Sequence, residues 1–435
     1  ARDFLYWWQL DQNPDTGAIT TSGYDQIASI STPDNYTVVL HMKRPYGPYL
    51  SYLPLAAPFH AWSRLRPIDL QNDQGVYLAP GVTSGPYKLA SFVNGQGYSF
   101  VPNPYYASTT FHGPYLAHLS FRAYSTDAAL LAAMQAGQID VAAGYMEDEL
   151  ASLAYPPSNM RLLETPAASY EHLDFNLSRP LFQDERVRRA IQFAIDTCGM
   201  LRQVLHAPDC SRAASQVEPL PSLYNDPSIA ASAFDPVAAR QLLAQAGWHP
   251  GPDGLLIRQG KTFVVQLVTT SDNPLRLAVA QFIQRDLLAV GISVRISTYS
   301  LGDFFAVYSR GGVLATGAFD LAMFGYQDSP EPDDEFNVFH SSQIPSASQP
   351  DLGNYGRVSD PIIDAALVAG RNNVLFSQRL KAYHTFLERL ASQVYLVPLY
   401  TGVNILVLSN RARNILPNPN VYANTWNIAD WWASI

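Results

Sequence analysis

The strongest constraint on this chain is that helix and strand signals alternate along most of its length. Residues 127–135 (DAALLAAMQ) read as a helix, with Thr126 placed to cap the first turn and Gly137 to stop it. A buried strand over 139–141 follows at once. Residues 184–195 repeat the helix signal. Val187, Ile191 and Ala194 share one face, and Arg186, Arg188 and Arg189 are expected on the opposite, solvent face. Asp235-Pro236 supplies an N-cap and a first helical residue for a helix that runs to Gly247. Gly260 turns a hairpin between 255–258 and 262–269. Asn273-Pro274 opens a long helix through Ala289, stopped by Gly291, and Ile292, Val294 and Ile296 then alternate as a strand. Strand, helix, strand in this order specifies an α/β unit with partly parallel pairing. A helical pair over 361–370 and 377–392 precedes strands at 395–400 and 405–408.

Composition narrows the class. A chain of 435 residues is long enough for more than one domain. With 47% hydrophobic and 15% charged residues it is not a disordered chain. Its apolar runs, such as 405–408, fall far short of the roughly 18–20 residues that span a bilayer. A net charge of −9 disfavours nucleic acid and anionic lipid as partners. The 25 Tyr and 7 Trp are mostly core material, yet they leave enough aromatic surface for a lined pocket. Cys198 and Cys210 have eleven residues between them, which suits either a disulfide in an oxidising compartment or two buried thiols. Ala1 is not followed by the basic and apolar regions of a signal peptide.

Signatures of catalysis are missing. There is no G-x-S-x-G elbow, H-E-x-x-H, Walker loop or C-x-x-C. Gly95-Gln96-Gly97 lacks the third glycine of a dinucleotide fingerprint and reads as a hairpin turn at Asn94-Gly95. His384 and Glu388 lie four apart on one helix face, a pairing that is more often a surface contact than a metal site. No metal or cofactor is expected. The acidic cluster Asp328, Glu331, Asp333, Asp334 and Glu335 lacks the glycine and ligand spacing of a calcium loop. Residues 333–335 read as a solvated acidic loop. Asp328 is different, because it follows an apolar run over 319–324 and Gly325-Tyr326. It therefore sits at a strand end, where α/β folds place ligand contacts.

Six segments in order give these elements a family likeness. They begin with Thr83-Ser84-Gly85-Pro86-Tyr87-Lys88, followed by Asn103-Pro104-Tyr105-Tyr106. Ala136-Gly137-Gln138-Ile139-Asp140-Val141 makes a helix-to-strand step. Next come Asp174-Phe175-Asn176, Pro180-Leu181-Phe182, residues 184–190 (DERVRRA) and Ala194-Ile195-Asp196. Residues 239–248 (ARQLLAQAGW), then Asn354-Tyr355 with Asp360-Pro361 and Asp364, and finally Val397-Pro398-Leu399-Tyr400 complete the set. Spread over residues 83–400, they resemble the family 5 extracellular solute-binding proteins, the peptide- and nickel-type receptors of ABC importers.

The resemblance implies an α/β class II periplasmic-binding-protein fold, two lobes around a ligand cleft with an extra subdomain in the first lobe. The first lobe would hold residues 1–170 plus about 415–435, with the subdomain over about 1–82, and the second lobe residues 171–414. The hinge would lie near 170–176 and near the C-terminal return, where residues 426–432 rejoin the first lobe. It implies a cationic ligand group paired by Asp328, aromatic contacts from Tyr326, Tyr355 and Trp426, and Arg276 as a further ligand-binding residue. Two departures stand out. The spacing from Gly325-Tyr326 to Glu331-Pro332 is one residue shorter than the family's, and no Arg directly precedes Asn273-Pro274. A strict dipeptide receptor is therefore disfavoured. Exported family members favour the Cys198–Cys210 disulfide, and the expected partners are a peptide-like solute and the importer's permease subunits. The expectation is a monomer at the periplasm or cell surface, meeting a membrane only through a lipid anchor outside the sequence. The family's first strand and its "FSDG" loop precede the stretch matched by residues 1–10, which leaves an unfilled position in the first lobe's sheet as written. An oligosaccharide receptor and a secreted glycoside hydrolase are the alternatives.

Overall fold

A computed structural model describes the chain apart from residues 19, 20, 22, 54, 71, 72, 78, 79, 144–158, 220, 221, 328, 329, 419–423 and 435. Its centre is a six-stranded mixed sheet. In chain order the strands are β1 (Val141–Ala143), β2 (Met160–Phe175), β3 (Val264–Thr270), β4 (Ser293–Tyr299), β5 (Leu321–Gln327) and β6 (Leu396–Ser409). In space they run β4-β3-β5-β2-β6-β1. β3 lies parallel to β4 and β5, whereas β2 is antiparallel to both of its neighbours.

The expected α/β unit is present. Helix Pro274–Ala289 connects β3 to β4, and Asn273 caps it by accepting the Arg276 N–H at 2.9 Å. Gly291, at φ +88°, turns the chain out of it. The hairpin strand expected over 262–269 divides at Phe263. Lys261–Thr262 pairs antiparallel with Leu256–Arg258, and β3 then joins the large sheet. Phe263 is the pivot: its N–H donates to the Leu256 carbonyl at 2.7 Å and its carbonyl accepts from Ser293 N–H at 3.0 Å. Its ring packs on Trp248, 4.3 Å between centroids.

Among the described residues, several helices cover the large core beside β2, β3 and β5. The longer ones are α1 (Glu185–Ala194), α2 (Pro236–Gln245), α3 (Pro274–Ala289), α4 (Pro361–Asn372) and α5 (Phe376–Gln393). Val187, Ile191 and Ala194 of α1 point into that core. The arginines are not all on the solvent face. Arg188 is only 4% exposed. It donates from Nε to the Gln393 and Val394 carbonyls at 3.1 and 3.0 Å, and from Nη1 to the Phe182 carbonyl at 2.7 Å. The last carbonyls of α5 have no partners within their own helix, so a guanidinium from α1 satisfies them. Local periodicity could not show that acceptors would arrive from a helix so distant in sequence. Cys198, on helix Thr197–Gln203, is disulfide-bonded to Cys210, with Cα atoms 5.2 Å apart.

β2 and β6 are long and cross between cores. Tyr170, Leu173 and Phe175 of β2 belong to the large core. Met160 and Leu162 pack instead with Met134, Ala142, Ile405 and Val407. Leu163 packs with Leu406, Leu408, Ile415 and Trp431. The two strands expected at 395–400 and 405–408 are therefore one strand, β6, with register shifts between Pro398 and Tyr400 and between Thr401 and Val403. Thr401-Gly402 reads as a break locally, yet pairing with β2 carries the strand through it by bulging. Trp431 is buried, and Trp432–Ala433 pairs with Ala412–Arg413.

The N-terminal part has a small core of Leu10, Ala57 and Leu70 and a hairpin of Ile27–Ser31 with Val39–Met42. A three-stranded antiparallel sheet, Tyr87–Val93, Gly97–Pro102 and Leu119–Phe121, follows, with the expected turn at Asn94-Gly95.

Candidate functional site

Tyr326 lies near the end of β5, and Asp328, the residue expected to bind a ligand cation, lies just outside the described residues. The Tyr326 ring stacks on His172 at 5.0 Å and 8°. Tyr170 and Phe324 lie 6.1 and 5.2 Å away. Tyr355 joins the same cluster through Phe324, at 6.5 Å. Burial pushes the phenol pKa values of Tyr326 and Tyr355 up, so both stay protonated hydrogen-bond donors at neutral pH.

Arg276 is not in that cluster. Gly325 and Tyr326 are neighbours on one strand and face opposite sides of the sheet. The Glu171 carboxylate sits on the Gly325 side, so close that a Cβ on Gly325 would lie 2.6 Å from its Oε1. Arg276 binds that carboxylate with Nε at 3.0 Å and with Nη2, and donates from Nη1 to Thr270 Oγ1 at 2.8 Å. Both side chains are 15% exposed. A carboxylate of the chain itself thus occupies the guanidinium fork. Trp426 is elsewhere: its ring meets Phe111 at 6.0 Å and its Nε1 donates to the Leu416 carbonyl.

The acidic loop is not a solvated one. Glu331, Asp333 and Glu335 are buried, and Asp334 is exposed. Arg371 of α4 grips Asp333 with Nε and Nη2 at 2.7 and 3.0 Å. Arg379 of α5 grips Glu331 with Nη1 at 3.0 Å and with Nη2. Buried carboxylates need such partners. Both arginines are far down the chain, so the loop's own sequence gives no sign of them.

Between this loop and β5 lies a small pocket of about 40 Å³ lined by Tyr170, Tyr326, Glu218, Glu331, Asp334 and Glu335, among others. That is room for a water or an ammonium group rather than a whole ligand. Among its described lining residues four are carboxylic acids and none is basic. Glu218 is 1% exposed and accepts a hydrogen bond from Ser222 Oγ at 2.5 Å. Burial first, then Glu331 and Asp334, push its pKa up to about 8. It sits on a loop closed by the Gln216 side chain, which bonds the Asp226 carbonyl and N–H at 2.8 Å each. Glu218, Tyr170 and His172 are site residues that sequence reasoning missed. The one local hint was an isolated Glu between Val217 and Pro219. A larger cavity of about 220 Å³, beside α1 and α5, holds none of the residues expected from sequence. The lone His384 faces Asp226, with Nδ1 3.7 Å from Oδ2. The pocket can bind a cationic or hydrogen-bond-donating group.

Residues 1–346 match the bacterial extracellular solute-binding proteins, family 5 middle, and the chain belongs to that family. It is 28% identical over 376 residues to a Brucella ovis protein named as an ABC-transporter peptide-binding protein, covering 85% of this chain and 66% of that one. The chain thus spans 66% of that relative's length. It is 25% identical over 440 residues to the oligopeptide-binding protein AppA of Bacillus subtilis, covering 99% of this chain and 77% of AppA. Two solved structures share the fold over nearly all of this chain. AppA from Bacillus subtilis in complex with a nonapeptide matches at TM-score 0.73 and 23% identity, over 100% of this chain and 84% of that one. NikZ from Campylobacter jejuni in complex with Ni(L-His) matches at TM-score 0.77 and 22% identity, over 99% and 83%. The fold is the two-lobed α/β arrangement of the class II periplasmic binding proteins.

Proposed function

We propose that the chain is the solute receptor of an ABC importer, taking a peptide-like ligand between its lobes and closing on it without catalysing a reaction. One observation carries this reading: β2 and β6 each run unbroken from one set of cores into another, with the Tyr326 cluster beside the crossing. Paired strands of this kind can serve as a hinge, and a ligand that contacts both sides shifts the open–closed balance by its differential affinity for the closed state. The register shifts of β6 between residues 398 and 403 lie opposite residues 166–172 of β2 and support a hinge there, next to the 170–176 expected from sequence. The first lobe then holds residues 1–165 with the C-terminal return from about 404, and residues 1–82 are its added subdomain.

Asp328 and the acidic pocket are the place for a ligand cation. Arg276, held by Glu171, is a ligand residue only if a ligand carboxylate displaces Glu171. The oligosaccharide alternative needs open aromatic platforms, and the Tyr326 and Tyr355 rings pack instead on His172 and Phe324. This favours peptide. The receptor works as a monomer outside the cytoplasmic membrane and docks on permease subunits.

The test is a thermal-shift screen against peptide pools of two to nine residues and against glycan pools. A ligand at a hundred times its dissociation constant adds about 2.7 kcal/mol of stability, which such a screen detects. A rise with peptides alone supports the reading. A rise with glycans alone, or turnover of a glycoside, overturns it.

A further inference from the structure

The short segment at residues 44–52 belongs to the N-terminal part of the chain, yet it docks on the acidic loop. Tyr46 is 3% exposed. Its hydroxyl donates to Asp333 Oδ2 at 3.0 Å, an oxygen that Arg371 Nη2 also binds. Tyr52 donates to Asp334 Oδ1 at 3.3 Å, and the two tyrosine rings lie 5.9 Å apart. Between them the backbone of Gly47 presses against the connection between α4 and α5. A Cβ there would lie 2.2 Å from the Asn373 carbonyl oxygen and 2.7 Å from Arg379 Nε. Gly47 does not have a positive φ, so the close approach and not the backbone conformation calls for glycine.

The groups gripped here also shape the pocket. Asp334 lines it, and Arg379, which Gly47 abuts, holds the Glu331 carboxylate that lines it too. Burial first, then the aspartates, raise both phenol pKa values, so the two hydroxyls remain donors at any ordinary pH.

We propose that residues 44–52 form a clasp whose positioning residues, Tyr46 and Tyr52, fix the ligand loop over residues 331–335 from outside the large core. The word "ligand" here rests on the receptor reading; the clasp itself does not. Docking of the clasp and ordering of the loop are then linked, and linkage runs both ways.

Hydrogen exchange read by mass spectrometry on the full chain tests this without any ligand. Losing one hydrogen bond is worth about a 5-fold change in a local opening equilibrium, so Tyr46→Phe with Tyr52→Phe should speed exchange over residues 331–339 by about 10-fold or more. Gly47→Ala, which keeps both hydroxyls but blocks the approach, should do the same. Asp334→Ala should in turn speed exchange over 44–52. In all three variants α3 should exchange as in the parent chain. Equal acceleration of α3 and the loop would mean a general loss of stability and would overturn the clasp, as would no acceleration of the loop. A failed peptide screen bears on the receptor reading alone and leaves these outcomes decisive.

Discussion

Replacing Arg379 by Met should expose how much the acidic loop depends on its distant partners. Arg379 and Glu331 have side chains only 7% and 11% exposed. The substitution removes both guanidinium bonds to Glu331 and the Nε bond to the Gly370 carbonyl at 2.9 Å. It also takes a cation from beside the Tyr224 and Tyr383 rings, 5.4 and 5.7 Å away. Breaking a buried ion pair from one side costs about 3–5 kcal/mol, because the remaining charge loses its closest counterion while staying buried. For a unit of 150–250 residues, at roughly 2–4 °C per kcal/mol, that is a fall in melting temperature of roughly 6–20 °C.

The cost must depend on pH. Burial raises the Glu331 pKa and Arg379 pulls it back. A raised carboxyl pKa means that the native state holds a proton that the unfolded state has already lost. Stability therefore falls as pH rises from the ordinary 4.5 through the raised native value. Without Arg379 the native value climbs further, so the variant's deficit should be larger at pH 8 than at pH 5. Urea titrations followed by tryptophan fluorescence at the two pH values measure it. The double variant Glu331→Leu, Arg379→Met should return close to the parent stability, since apolar replacement of both partners removes the buried charge. A deficit below about 1 kcal/mol, or one equal at both pH values, would refute the electrostatic account.

Two further outcomes follow from groups buried in the same half of the molecule. Arg188→Met leaves the Phe182, Gln393 and Val394 carbonyls without that donor and should cost about 3–5 kcal/mol in urea unfolding; a loss below 1 kcal/mol would show that water or backbone shifts replace it. Glu218, with its pKa pushed up to about 8, lowers stability progressively as pH rises from about 4.5 to 8, so Glu218→Gln should flatten that decline; an unchanged slope between pH 5 and pH 8.5 would show that Glu218 is ionised throughout.

The elements that were legible in sequence are those with local punctuation. Asn273-Pro274 and Gly291 bracket a helix whose bounds the structure reproduces at Pro274–Ala289. Asp184, Thr126 and Asp235 all cap the helices they precede. What was hidden depends on partners distant in the chain. Phe263 reads as mid-strand, but its two backbone groups serve two different sheets. Thr401-Gly402 reads as a break, but β2 holds the strand together across it. Asp333 and Arg188 read as solvated charges, and each is buried because an oppositely polar group arrives from another helix. The aromatics expected at the site show the same limit: the family likeness brought Tyr326 and Tyr355 to notice, while Glu218, which lines the pocket with Tyr326, sits in a loop that no motif marks.

The position of β2 between β5 and β6 has a consequence for how the chain comes into being. On the ribosome β2 is complete once residue 175 has been made, but its first neighbour ends at residue 327 and its second at residue 409. Until residue 327 this 16-residue strand has no native partner along either edge, and from there until residue 396 it has one on a single edge. The pairings that finally cover it span long stretches of chain, the kind of contact that slows folding most. A chain released before residue 396 would still lack one whole side of its central strand, so the last strand made, rather than the first, decides when the sheet can close.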